Sequence, residues 1–137
     1  MKRFKSRLFG LLVLAATAAC VMSTQGQDVV KQGKRSDFMR QKLEYSKHVL
    51  EGLAREDFPL IIESARKLKA LSMAAEWEVA TIPHVEEYLP LTTEFQRIAD
   101  DMIKKAKARN LDGATLAFNR MTMSCVECHK YIRSMVK

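Results

Sequence analysis

The sequence predicts an all-α protein, an antiparallel up-down-up-down bundle of four helices. Three observations carry this. Ala, Leu, Met, Glu and Lys dominate a chain of 137 residues that has only five glycines and three prolines, the vocabulary of helices rather than of sheets with frequent turns. Apolar residues recur at steps of three and four in four successive stretches. The breaks between those stretches are short except for one, and amphipathic helices joined by short links bury their stripes most simply as antiparallel neighbours. A chain of this length supports one core and not two ordinary domains.

Residues 27 to 35 are polar with one glycine and read as a flexible lead-in. Periodicity starts after them: Met39, Leu43, Ser46, Leu50 and Leu53 keep a 4-3-4-3 spacing, which predicts a first helix over 37–54 with Ser36 or Asp37 as its N-cap. Arg55 to Phe58 makes a short break in which Asp57 caps the next helix and Pro59 falls in its first turn. Ile61, Ala65, Leu68, Ser72 and Ala75 then predict a second helix over 58–79. Thr81 to Pro90 holds two of the prolines and is expected to interrupt regular helix as the long loop. Leu91, Phe95, Ile98, Met102 and Ala106 mark a third helix, closing on the basic turn Lys104 to Arg109 and ended by Asn110. Asp112 is expected to cap the fourth, whose stripe is Ala117, Met121, Ser124, Cys128, Tyr131 and Met135. In the antiparallel arrangement the start of the first helix lies beside the end of the fourth.

The N-terminus reads as an export signal over residues 1–26. Lys2, Arg3, Lys5 and Arg7 form a positive region, an apolar run follows, and small and polar residues close it. The run stops near Met22, short of the roughly 20 apolar residues that a membrane span needs. Cleavage is expected between Ser23 and Gly26, with lipidation at Cys20 as the alternative; Thr17 stands where a lipoprotein signal usually has Leu. Removing the four leading positive charges brings the formal charge of +7 down to +3, so the basic balance belongs to the leader and does not point to nucleic acid.

Chemistry concentrates in Cys-Val-Glu-Cys-His, residues 125–129. On a helix each residue advances about 100°, so Cys128 lies roughly 60° to one side of Cys125 and His129 roughly 40° to the other. All three project from one side. Cys-x-x-Cys-His is the signature of covalent haem attachment, in which two thiols form thioethers with the vinyl groups and the adjacent imidazole reaches the iron. His129 is then the metal ligand, and its second ring nitrogen calls for a partner. A zinc site would need a second ligand pair that the sequence lacks. A redox dithiol of the thioredoxin kind needs a βαβ setting. A disulfide three residues apart on a helix would be strained and would staple nothing. The leader agrees with haem, because haem c is attached outside the cytoplasm; a periplasmic or otherwise extracytoplasmic location is expected.

Four helices with one Cys-x-x-Cys-His near the C-terminus resemble the cytochrome c-prime family, the class II c-type cytochromes, over residues 36–137. The resemblance implies a mono-haem domain, and it places Arg133, four residues past His129, beside the axial imidazole. The family's commoner pattern has an aromatic residue directly before that arginine; here Ile132 stands there, and Tyr131 precedes it. It also implies an apolar residue over the distal face on the first helix, where the topology brings Met39 and Leu43 near the haem. Leu43, with no donor atom, leaves an open iron position; Met39 is the alternative, as a sixth ligand. A homodimer through the first two helices is a further implication, though not every member forms one.

Other residues receive plainer readings. His48 lies off the stripe and reads as solvated, and His84 as part of the loop. Met121 and Met123 share a helix with His129 and cannot approach the opposite haem face, so they read as packing residues. Trp77 reads as a core plug and Lys104 to Arg109 as a solvated helix end. No general base, nucleophile or carboxylate pair is recognisable, so an enzyme acting on an organic substrate is not expected. The expected function is electron transfer to a partner protein, or binding of nitric oxide or carbon monoxide. The alternative is a helical haem sensor or scaffold that signals to a protein partner.

Overall fold

The computed structural model describes residues 34–74 and 85–135, and the chain divides into two units, residues 1–37 and 38–137. Of the first unit, residues 34–37 are described and are helical. The leader, the cleavage region, Cys20, Trp77 and His84 lie outside the described residues. The second unit is the predicted antiparallel four-helix bundle. Its helices are α1, which runs through residues 34–54 and contributes 38–54 to this unit, α2 (Phe58–Ala74), α3 (Val85–Lys107) and α4 (Leu111–Met135).

Contacts between helices fix their directions. Arg109, just past the end of α3, stacks on Phe58 at the start of α2, with its guanidinium carbon 4.9 Å from the ring centroid. Glu86 and Glu87 in the first turn of α3 act electrostatically on Tyr131 near the end of α4. Lys42 of α1 sits 5.1 Å from the centre of the Phe95 ring on α3. The core runs through all four helices, from Val49 and Leu53 through Ile61, Leu68, Ile98 and Met102 to Ala117 and Met121.

The two tight turns share one construction. At the end of α1 the Glu56 amide donates to the Leu53 carbonyl and the Asp57 amide to the Gly52 carbonyl. At the end of α3 the Arg109 amide donates to Ala106 and the Asn110 amide to Lys105. Both are Schellman closures, with Glu56 (φ 54°) and Arg109 (φ 53°) in the left-handed position. The next residue in each case caps the following helix: Asp57 Oδ1 accepts from the Leu60 amide at 3.0 Å, and Asn110 Oδ1 from the Gly113 amide at 2.8 Å. Asp57 is the predicted cap. Asn110, and not Asp112, caps α4, because the left-handed Arg109 delivers the chain there two residues sooner.

Three other expectations are corrected. Neither Ser36 nor Asp37 caps α1, which is already helical at residue 34, where Lys34 and Arg35 are good helix formers. Residues 85–90 are helical and not loop. Pro90 stands inside α3 but only in its second turn, where its missing amide removes one helical hydrogen bond near the exposed start of the helix. The stripe of α1 is rotated: Leu50 is 56% exposed and Val49 fully buried.

The rotation has a local cause at Gly52, which is buried against α2. A Cβ there would lie 2.8 Å from Ile61 Cγ1 and 3.2 Å from both the Asp57 carbonyl oxygen and the Ile61 amide nitrogen. The missing side chain lets the end of α1 close onto α2, which carries Val49 and Leu53 inward and Leu50 outward. Gly52→Ala is expected to cost about 1–3 kcal/mol, because the backbone atoms of α2 cannot step aside as a side chain could. Chemical denaturation of the two proteins checks it; equal midpoints would contradict this account of the rotation.

Candidate functional site

The last turns of α4 carry the Cys-Val-Glu-Cys-His stretch. Val126 and Glu127 are exposed, whereas Cys125 and Cys128 are half-buried, the outcome of three-residue spacing on a helix with one face against its neighbours. Both cysteines are free thiols. His129, next in sequence, is largely exposed, yet its side chain reaches the same side.

These three residues form one wall of a cavity of about 330 Å³. Met39, Lys42, Leu43 and Ser46 of α1 form another part, Ser72 of α2 a third, and Tyr88, Leu91, Thr92 and Phe95 the α3 side. Ser124, one residue before Cys125, is buried on α4 and completes the lining. The start of α1 and the end of α4 therefore meet here, as the antiparallel order predicts. Met39 and Leu43 both line the cavity and keep 41% and 59% exposure, so they stand at its mouth. Arg133 lies one turn past His129, exposed and off the cavity wall.

The electrostatics are set by burial and by one amine. Burial pushes the Cys125 thiol up from the ordinary cysteine range; the Lys42 ammonium pulls it partly back, and Cys128 adds a smaller upward push. Cys128 is likewise raised by burial and partly lowered by Lys42. Lys42 in turn is lowered by burial, with the two thiols opposing the shift. The pair is thus held as neutral thiols, whereas a redox-active dithiol has a thiolate favoured by its surroundings. Among the described residues no three His, Cys, Asp or Glu side chains converge as a chelating group. Nor does any described residue give the His129 ring the hydrogen-bond partner expected for its second nitrogen.

Of the other residues singled out in the sequence, Met121 is buried in the core, but Met123 is 58% exposed and outside the core cluster, being two residues and some 200° further round α4. His48 is half-buried, with Nε2 3.6 Å from a Glu44 carboxylate oxygen and its ring edge-on to Tyr45. It lies away from the cavity. Sequence reading missed Lys42, Tyr88 and Thr92. Lys42 carried no signal, since a charged residue one place off an apolar stripe reads as solvated. Tyr88 and Thr92 extend the 4-3 spacing that leads to Phe95, a signal hidden by the neighbouring prolines. Ser72 was legible as a stripe position but not as a cavity residue.

No helix among the described residues is long and apolar enough to cross a membrane. No family model matches the chain, and no curated protein or solved structure matches it either.

Proposed function

We propose that the protein is an exported mono-haem c-type cytochrome, with Cys125 and Cys128 as the thioether-forming residues and His129 as the axial ligand. The observation that carries this is the cavity onto which two free thiols and the adjacent imidazole open from one helix, while Met39 and Leu43 face it from another. The donor set fits the group. Neutral, half-buried thiols suit addition across vinyl groups, and a lone imidazole supplies one iron ligand without the cluster that a zinc site would need. The largely apolar walls on α3 suit a macrocycle. Bound haem supplies one-electron chemistry and a site for diatomic gases; the chain's part is to fix the group, shield one face and set its exposure.

Leu43 stands one turn further along α1 than Met39 and has no donor atom, so it would cover a bound haem without ligating it and leave that side open to a diatomic gas. Carbon monoxide would then enter past Leu43 and bind without displacing a donor side chain of the chain. Leu43→Ala is expected to speed that binding several-fold by removing bulk at the mouth, read by stopped-flow mixing of the ferrous protein with the gas. A low-spin ferrous spectrum that Met39→Ala abolishes would instead assign Met39 as the sixth ligand and favour electron transfer over gas binding. Attachment outside the cytoplasm follows from the chemistry of haem c and agrees with the leader.

A further inference from the structure

Lys42 lines the cavity and is only partly exposed. Its ammonium rests over the Phe95 ring and faces the two thiols, and no carboxylate among the described residues pairs with it. Ser72 lines the same cavity at 2% exposure, and its Oγ is the one buried side-chain polar atom among the described residues without a hydrogen-bond partner. An uncompensated cation and an unmet hydroxyl, supplied by α1 and α2 respectively, are each costly unless something completes them. Both are donors. What completes a cation and a donor together is an anion with oxygen acceptors.

We propose that the cavity receives a carboxylate-type oxyanion, with Lys42 as its counter-charge and Ser72 as a hydrogen-bond donor. Two sources carry this chemistry: the carboxylate side chains that a haem bears at its periphery, and a small free anion such as nitrite or formate entering the cavity. With the first source the inference rests on the haem reading; with the second it stands without it. The Phe95 ring holds the ammonium by its face while the anion is absent, which keeps the charge inside the cavity.

The test uses the full chain from a host that matures haem c, in the forms wild type, Lys42→Gln, Lys42→Arg and Ser72→Ala. Calorimetric titration with sodium nitrite and sodium formate reads free-anion binding, and resonance Raman spectra read the carboxylate bending bands of an attached haem. A free anion as occupant predicts wild-type binding weakened about tenfold in Lys42→Gln, the loss of one hydrogen bond to a charged group, and substantially restored in Lys42→Arg, with the haem bands unmoved. A haem carboxylate as occupant predicts shifted bands in Lys42→Gln and Ser72→Ala, with no free-anion binding in the wild type. A chain without haem would end the haem reading while leaving the anion titration to decide this one. Unmoved bands, or no haem, together with anion binding that is absent or indifferent to both Lys42→Gln and Ser72→Ala, overturn it.

Discussion

Replacing Cys125 and Cys128 together by alanine is expected to give a folded bundle from which acidified acetone removes all haem. Both thiols are half-buried, and Cys125 packs against the core. Each is small, however, and its loss costs on the order of 1 kcal/mol, within the stability of a domain this size. The effect on the cofactor is total by comparison, because no other nucleophile on the cavity wall can form a thioether. Single replacements are expected to keep haem covalently bound through one bond, with an altered visible spectrum from the remaining vinyl group. Retention of haem on the double variant through denaturing electrophoresis would show that the attachment lies elsewhere.

Leu68→Ala is expected to have the largest effect on the fold itself. Leu68 is fully buried and belongs to the core cluster with Ile61, Ile98 and Met102. Truncation removes its transfer free energy and leaves a cavity between α2 and its neighbours, for a cost of about 2–5 kcal/mol. Set against a typical domain stability of about 5–15 kcal/mol, that lowers the midpoint of thermal unfolding by about 10 °C or more. Circular dichroism during heating measures it. A shift of a degree or two would mean that the α2 stripe is not the centre of the core.

These predictions draw unequally on the sequence. Spacing alone placed Ile61, Leu68, Ile98, Met102 and Met121 inside, because each belongs to a helix whose stripe is uninterrupted and whose partner is another stripe. The site's α4 wall was legible for a different reason: cysteine and histidine are rare in this chain and their spacing has a chemical meaning. The turns were legible only in part. Glu56 and Arg109 adopt the left-handed conformation where glycine is the usual marker, so nothing in the residue types announced the Schellman closures. The orientation of α1 was hidden more deeply. Leu50 and Val49 are equally apolar, and the choice between them is made by the close approach at Gly52 to a helix that follows it in sequence. That rotation also leaves Met39 and Leu43 at the rim of the cavity and sends Lys42 into it. A charged side chain with a long apolar stem can take such a place when an aromatic face is there to receive its end. Spacing has no means of stating this.

The proposed function depends on covalent attachment of haem through Cys125 and Cys128. Intact-mass measurement of the unmutated protein, purified from a host that matures haem c and denatured before analysis, tests it most directly. A single species heavier than the processed chain by one haem is expected, with no thiol left to alkylate at either cysteine. An unmodified mass with both thiols open to alkylation would contradict it.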